Sequence, residues 1–198
     1  MSRLSLGKKP VFTGALVLVN ARYGLDGDAA QERLVPVRPG SSVLLDREAA
    51  QALDRLMAEL DGWRFITPVS GWRSMAEQTA LYTRSLRENG PEFTAKFVAR
   101  PGHSEHQTGL AIDLGLTKEH IDFICPEFPY TGICQTFRER AADYGFVERY
   151  PAGKEAITGI AHEPWHFRYV GVPHAGYMAR RGWTLEEYHA HWMEGGGE

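Results

Sequence analysis

The sequence predicts a mixed fold in which helices and short strands share one core. Capping boxes, which start helices, occur at Ser74-Met75-Ala76-Glu77 and Thr184-Leu185-Glu186-Glu187. Between the predicted helices lie short apolar runs bounded by glycine and proline, the pattern of strands. At 198 residues the chain has the length of one domain with a proper core, so we expect residues 1–198 to form a single domain.

The first half is predicted to build a helical layer behind a covering segment. Residues 1–45 form this segment, with one strand at Leu16–Val19. Asp46 opens a helix to about Leu60 with one apolar face, and Gly62 ends it. Further elements are predicted as follows: a strand from Trp63 to Ser70, a turn at Gly71-Trp72-Arg73, a helix from Ser74 to about Asn89 and a helical turn or two over Pro91–Val98.

The second half of the chain is also predicted to contain both helices and strands. The predicted elements are an ordered loop over Leu116–Phe128, a helix over Gly132–Tyr144 ended by Gly145, strands over Phe146–Tyr150 and His166–Val170, and a last helix over Leu185–Met193 before a loose tail at 194–198. Pro164 lacks an amide donor, so Glu163 is expected on a bend outside the strand ladder.

Composition narrows the classes of partner. A net charge of -3 gives no reason to expect nucleic acid or an anionic membrane. No apolar run has the length of a membrane span, so no membrane anchor is expected. Lys8-Lys9 before Val11–Val19 imitates a signal peptide, but Gly14 interrupts the run and Asn20-Ala21-Arg22 is a poor cleavage site, which favours the strand.

Two cysteines bear on the compartment. Cys125 and Cys134 have a spacing that fits no common zinc ribbon or redox pair. Free thiols in a reducing cytoplasm are the expectation, with a disulfide as the alternative.

The stretch Pro101–Gly115 carries most of the candidate chemistry. It is predicted to be a loop running into a strand, in which Gly109, Ala111 and Asp113 share one face. A carboxylate in an apolar run is costly unless it is paired, hydrogen-bonded or bound to a metal. His106 lies a short loop away, where it can share a cation with Asp113. The two small residues would leave room for that cation.

A second cluster, His162-Glu163-Pro164-Trp165-His166, can complete such a site. Imidazole and carboxylate are ordinary zinc ligands, and a catalytic zinc keeps three protein ligands and an open position. Buried histidines and aspartates are also common as satisfied core residues. Spacing alone leaves both interpretations open.

Both clusters resemble a known signature. The pattern Ser104-x-His106-x-x-Gly109-x-Ala111-x-Asp113 followed by Glu163-x-Trp165-His166 is similar to the paired motif of the zinc D-alanyl-D-alanine peptidases, the VanX, VanY and VanXY group of glycopeptide resistance. From about Ser70 onward the surrounding sequence resembles the bifunctional VanXY type. The resemblance implies an α+β fold of the hedgehog/D-Ala-D-Ala peptidase kind, with an antiparallel central sheet carrying the zinc site and helices around it.

The resemblance also implies roles for individual residues. His106, Asp113 and His166 would hold one Zn²⁺ per chain, and Glu163 would be the general acid and base. Ser70-Gly71-Trp72-Arg73-Ser74 resembles the family's SGYRS, in which the arginine stabilises the reacting carbonyl oxygen; here Trp72 replaces the usual tyrosine. Without the resemblance, Arg73 would read as a solvated surface charge.

Substrate contacts are implied for a further set. Ser104 and Gln78 resemble family residues at the substrate site, while Trp165 either packs the site or touches the substrate. His103, Glu105 and His162 stay open as neighbours of the ligands that spacing could confuse with the ligands themselves. The histidines left as surface or packing residues are His120, His174, His189 and His191.

The implied activity is hydrolysis of D-Ala-D-Ala, or removal of the C-terminal D-Ala from a peptidoglycan pentapeptide precursor, in the cytoplasm. An L,D-carboxypeptidase or an endolysin-type L-Ala-D-Glu peptidase is the alternative within the superfamily. A catalytically lapsed module that binds cell-wall peptide is the non-enzymatic alternative. The sequence leaves open the preference between dipeptide and pentapeptide, the discrimination against D-Ala-D-Ser and the oligomeric state.

Overall fold

A computed structural model describes residues 13–195 of the chain. Its strands are β1 Leu34–Pro36, β2 Leu44–Asp46, β3 Ile66–Ser70, β4 Ala111–Leu116, β5 Phe146–Tyr150 and β6 Glu163–Tyr169. Its helices are α1 Arg47–Glu59, α2 Met75–Glu88, α3 Gly90–Phe97, α4 Gly132–Ala141, α5 Glu155–Thr158, α6 His174–Arg181 and α7 Leu185–Met193. Short 3₁₀ turns, among them Glu105–Thr108, connect several of them.

The central sheet has four strands in the order β3-β4-β6-β5, and every neighbouring pair is antiparallel. The short strands β1 and β2 pair separately as an antiparallel ribbon. Helices lie around the central sheet, so the predicted α+β class with an antiparallel sheet is confirmed.

The main core lies between α1, α4 and one face of the sheet. Helix α1 presents the predicted apolar face, and its Leu53, Leu56 and Met57 are fully buried. From the sheet and α4, the side chains in the same cluster are Ile66, Ile112, Leu114, Phe137, Phe146 and Phe167. Alternation along β4 therefore sends Ile112 and Leu114 to the core and Asp113 to the opposite face.

A second apolar cluster joins the C-terminal helices to the sheet edge. It contains Val147 of β5, Met178 of α6, and Leu185 and Tyr188 of α7, together with Leu18 from the N-terminal segment. Helix α6 was not predicted from the sequence. It follows Pro173, and Gly182 ends it in a left-handed conformation.

The predicted helix starts are confirmed. The Asp46 side chain accepts a hydrogen bond from the backbone N–H of Glu48 and so caps α1. Both capping boxes are complete, with Ser74 and Glu77 starting α2 and Thr184 and Glu187 starting α7. Residues 117–131 carry no helix or strand, as the loop prediction required.

The strand predicted at Leu16–Val19 is wrong. Gly14–Leu16 form a 3₁₀ turn and the following residues join no sheet. Side chains take the hydrogen bonds that a ladder would need: Arg168 Nη2 donates to the carbonyls of Ala15 and Val17, and His189 Nε2 donates to that of Leu16. The start of the covering segment, including Lys8-Lys9, and the end of the predicted tail lie outside the described residues.

The bend predicted at Glu163 is also wrong, because Glu163 is the first residue of β6 and pairs with Tyr150 of β5. Strand β4 pairs with β6 only from His166 to Arg168. Pro164 therefore lies beyond that ladder, where its missing amide donor costs nothing. The β5–β6 register shifts between Glu148 and Tyr150, next to this proline.

Gly109 is not part of β4. It ends the 3₁₀ turn with φ of 72°, a left-handed conformation that favours glycine. Its carbonyl accepts from the Asp46 N–H at 2.8 Å, and an added Cβ would lie 3.1 Å from that nitrogen. The residue is small because the β1–β2 ribbon approaches its backbone, and the prediction that it makes room for an ion is wrong.

The strand before α2 is shorter than predicted, since Gly62–Arg64 form a 3₁₀ turn and β3 begins at Ile66. Cys125 and Cys134 are free thiols, as expected.

None of the helices described between residues 13 and 195 combines the length and the apolar character needed to cross a bilayer.

Candidate metal centre and active site

Asp113 and His166 face each other across two neighbouring strands. They are register partners in the β4–β6 pair, so their side chains leave the same face of the sheet. His166 Nδ1 lies 2.8 Å from Asp113 Oδ1. Both residues are buried.

His106 reaches the same point from the 3₁₀ turn that precedes β4. Its Nε2 lies 3.2 Å from Asp113 Oδ2, the carboxylate oxygen that His166 does not contact. Its Nδ1 lies 2.7 Å from the Gly71 carbonyl oxygen and donates to it. That hydrogen bond fixes the neutral tautomer in which the Nε2 lone pair points into the site.

These three side chains fit a metal ion. One ligand atom from each of His106, Asp113 and His166 lies within 4.8 Å of the others, and all three residues are buried. Burial opposes the charged form of Asp113, yet the two imidazoles outweigh it and hold the pKa of Asp113 below its usual range. A donor set of two imidazoles and a carboxylate without thiolate is typical of a catalytic zinc site.

The two histidines respond differently to burial. Burial and Arg73 lower the pKa of His106, against the opposing effect of Asp113. Burial also disfavours the charged form of His166, but its hydrogen-bonded contact with Asp113 raises its pKa to about 10. In the metal-free protein a proton therefore competes with the ion for His166.

Glu163 stands beside the trio without belonging to it. Its Oε2 lies 3.8 Å from His166 Nδ1. In a regular strand, residues three apart point to opposite faces, and the register shift in the β5–β6 pair brings both to one side. Burial raises the pKa of Glu163 to about 8, in the range of a group that exchanges protons near neutral pH.

Arg73 is held on the other side by polar side chains and backbone. Its Nη1 donates to Gln78 Oε1 and its Nη2 to Ser70 Oγ, each at 2.7 Å. Its backbone N–H donates to the His106 carbonyl at 3.1 Å. Between residues 13 and 195 no carboxylate lies within ion-pair distance of this guanidinium, and burial lowers its pKa. The charge is therefore available to a ligand.

All eight predicted site residues line one cleft with about 50 Å³ of water-accessible space. They are Arg73, Gln78, Ser104, His106, Asp113, Glu163, Trp165 and His166. Gln78 Nε2 donates to the Ala99 carbonyl, so both ends of this amide are engaged. Trp165 also belongs to the main core, in line with a packing role.

The structure places the three residues whose roles the sequence left open in different surroundings. His103 Nδ1 lies 2.8 Å from the Asn20 carbonyl oxygen, outside the cleft. His162 stacks on Tyr130 and contacts its hydroxyl at 2.7 Å. Glu105 lines the cleft and lies 3.4 Å from His166, as a partner of a ligand.

Eight further residues of the cleft were not predicted from the sequence: Leu81, Phe97, Val98, Ala99, Phe123, Ile124, Tyr150 and Ile160. Tyr150 places its ring 4.9 Å from the His166 ring, and Phe123 and Ile124 enter from the loop at 117–131. Strand alternation could have suggested Tyr150, whereas no local pattern marks the two loop residues.

The remaining histidines lie on the surface or in packing contacts, as predicted. His120 is almost fully exposed. His174 contacts the Tyr188 hydroxyl, and His191 packs on Trp183. His189 bonds to Leu16.

Comparison with known proteins agrees with the resemblance seen in the two motifs. A family model described as VanY, D-alanyl-D-alanine carboxypeptidase, matches residues 42–172. Over 177 residues the chain is 45% identical to the bifunctional D-Ala-D-Ala dipeptidase and D-Ala-D-Ala carboxypeptidase VanXYC of Enterococcus gallinarum. That match covers 88% of this chain and 93% of the relative.

Solved structures of similar proteins agree with the sequence comparison. The vancomycin resistance D,D-dipeptidase VanXYg, in complex with a D-Ala-D-Ala phosphinate analogue, superposes with a TM-score of 0.85 at 54% identity, over 88% of this chain and 70% of that one. The LD-carboxypeptidase LdcB superposes with a TM-score of 0.74 at 33% identity, over 88% and 85%. The resemblance predicted from the two motifs is confirmed.

Proposed function

Because the chain belongs to the VanY family of D-alanyl-D-alanine carboxypeptidases, we propose that it is a zinc-dependent D,D-peptidase of the glycopeptide-resistance type. Its substrates are D-Ala-D-Ala, the C-terminal D-Ala of peptidoglycan pentapeptide precursors, or both. The observation that carries the proposal is the convergence of a His/Asp/His trio, a separate buried glutamate and an unpaired arginine on one cleft.

Three residues of the cleft would hold one zinc ion per chain. His106 would bind through Nε2 and His166 through Nδ1, the nitrogens that face Asp113. Zinc, when bound, polarises the scissile carbonyl and makes water a better nucleophile near neutral pH.

Glu163 is proposed to manage the protons. Its carboxylate takes a proton from the attacking water and returns it to the leaving amine of the terminal D-alanine. In the metal-free protein burial raises the pKa of Glu163, which favours the protonated form that the side chain takes between these two events. Its distance from His166 allows it to act beside the ligands without replacing one of them.

Arg73 is proposed to stabilise the carbonyl oxygen as negative charge develops on it. Gln78 and Ser70 each accept one hydrogen bond from the guanidinium and so fix its plane. A donor fixed in advance needs no reorganisation during the reaction. Ser104 supplies a further polar group for one end of a small peptide, and Trp165 shapes the wall. Gln78 acts on the substrate through Arg73, because both ends of its own amide are engaged.

The alternatives are weaker. An L,D-carboxypeptidase shares the fold, but identity to the D,D-dipeptidase structure is 54%, against 33% to the LD-carboxypeptidase structure. A lapsed binding module would have no need of Glu163 and Arg73, and both face the cleft. A cytoplasmic location, where the precursors are made and thiols stay reduced, completes the proposal, with one domain over the whole chain.

One assay tests the proposal. Purified protein is given D-Ala-D-Ala, a pentapeptide precursor ending in D-Ala-D-Ala, and a tetrapeptide whose last bond joins an L-residue to D-Ala, and free D-alanine is measured. Release from either of the first two substrates supports the proposal, and their ratio gives the preference. Release from the tetrapeptide alone would replace the activity with L,D cleavage, and release from none would leave the L-Ala-D-Glu peptidase and the binding module.

A further inference from the structure

A group of four buried charges lies behind the candidate metal centre. This buried quartet consists of Glu105 before β4, Arg149 on β5, Arg168 on β6 and Glu186 on α7. The first three side chains are fully buried, and Glu186 is 13% exposed. Two acids and two arginines balance, so the group carries no net charge.

The two carboxylate oxygens of Glu105 have different partners. Oε1 accepts from Arg149 Nε at 2.8 Å and from Arg168 Nη1 at 2.9 Å. Oε2 is left for His166 Nε2, 3.4 Å away. The arginines therefore determine which way the carboxylate faces, and its free oxygen faces the ring of a proposed metal ligand.

The arginines are fixed in turn by distant parts of the chain. Arg149 forms a two-pronged pair with Glu186, with nitrogen to oxygen distances of 2.8 and 2.7 Å. Arg168 Nη2 donates to the carbonyl oxygens of Ala15 and Val17. Asn20 donates to Glu186 and closes the group from the N-terminal segment.

Stability alone is a poor reason for such a group. Removing charges from water is costly, and buried ion pairs can often be replaced by apolar residues without loss of stability. A carboxylate behind a ligating histidine, in contrast, fixes the ring's tautomer and orientation and increases its basicity.

We propose that Glu105 is the positioning residue for His166, and that the buried quartet exists to present its Oε2 to the ring. A proton on Nε2 donates to this oxygen, which leaves the Nδ1 lone pair directed at Asp113 and at the metal. The reverse tautomer would turn a lone pair toward a carboxylate. The inference rests on the metal centre of the proposed function.

The test compares two isosteric changes at opposite ends of the quartet. Glu105→Gln removes the carboxylate that faces His166. Glu186→Gln is the matched control, because it removes an acid of the same quartet that does not touch the ligand. Zinc affinity of each purified protein is measured by competition with a chromophoric chelator, and thermal unfolding of each metal-free protein is recorded.

We expect both variants to unfold at lower temperature, because each leaves a buried arginine charge less balanced. Zinc affinity should separate them. Glu105→Gln should bind zinc about 10- to 100-fold more weakly than wild type, while Glu186→Gln stays within about threefold. Equal affinity of wild type and Glu105→Gln, or an equal loss in the two variants, would overturn the positioning role. Absence of zinc binding by wild type would instead refute the proposed function.

A second measurement uses wild type and does not depend on a variant that folds. In zinc-loaded protein with ¹⁵N-labelled histidine, two-bond proton–nitrogen correlations report which ring nitrogen carries the proton. His166 should show a protonated Nε2 and a metal-bound Nδ1. A proton on Nδ1, or none on Nε2, would refute the inference whatever the variants do.

Discussion

The two sides of the cleft are held in place by different means. His106 and Arg73 belong to a backbone-held side, where the Gly71 carbonyl fixes the imidazole and the Arg73 N–H bonds to His106. Glu163 and His166 belong to a charge-held side, on β6. There a shifted register and the buried quartet determine where the side chains point.

The two sides should therefore tolerate amino-acid substitutions to different degrees. On the backbone-held side, the carbonyl that accepts from His106 persists through most substitutions. Only the Arg73 guanidinium there needs other side chains, the neutral groups of Ser70 and Gln78. The charge-held side depends on ionisable groups from four separate parts of the chain, those of the buried quartet. It should therefore be the more sensitive to replacement of residues outside the cleft.

The largest effect is expected where the two sides meet. His106→Ala, Asp113→Ala and His166→Ala should each lose most of the bound zinc and nearly all activity, because three ligands leave no redundancy. Zinc content is measured by elemental analysis after gel filtration. His103→Ala is the matched control, since that ring bonds to Asn20 outside the cleft. If His166→Ala kept its full zinc content, the charge-held side would not be part of the metal centre.

Glu163→Gln tests the charge-held side without touching a ligand. Zinc content and fold should be retained while kcat falls by about 100- to 10,000-fold, because the amide cannot exchange the proton. The control is Glu148→Gln, a largely buried acid of β5 that pairs with Arg138 outside the cleft. Zinc lost together with the glutamate would mean that Glu163 is a ligand and that a neighbour is the base.

Arg73→Lys tests the backbone-held side. The lysine keeps the charge but loses the planar fork, so kcat should fall by about 100- to 1000-fold, with KM much less changed and zinc unaffected. Arg84→Lys, at an exposed arginine of α2, is the control. A variant with unchanged kcat and raised KM would assign Arg73 to ground-state binding of the substrate carboxylate.

The smallest effect is expected at the cap that follows Arg73. Ser74→Ala removes the hydroxyl that accepts from the Glu77 N–H, and should lower the free energy of unfolding by about 1 kcal/mol with zinc content unchanged. Urea denaturation measures it. Thr79→Ala, which removes a hydroxyl from the middle of the same exposed helix face, should change stability less. A larger loss at Thr79 would show that the cap does not anchor this side.

The helix boundaries were predictable from the sequence for a physical reason. The Asp46 cap, the two capping boxes and the glycine after α4 are local devices, so the patterns that predict them are contiguous. The site residues came from a motif resemblance, and their convergence on one cleft agrees with it.

The wrong predictions share a different cause, which is that they depend on contacts distant in sequence. The Leu16–Val19 segment has strand propensity, yet side chains of Arg168 and His189, more than 150 residues away, take its carbonyls. The sequence predicts a bend at Glu163 because Pro164 lacks an amide donor, but the β4–β6 ladder does not extend to Pro164 and needs no donor there. The sequence predicts that Gly109 makes room for an ion, whereas its backbone packs against Asp46. Each depends on a long-range contact that no window of sequence contains.

One zinc ion, held by both sides together, is proposed to make this chain a D,D-peptidase. The most direct test removes the metal from wild type with a chelator and returns zinc in measured amounts while D-Ala-D-Ala hydrolysis is followed. Activity should vanish on removal, rise in proportion to added zinc and saturate at one ion per chain. Hydrolysis that persists without metal, or that saturates only at two ions, would contradict it.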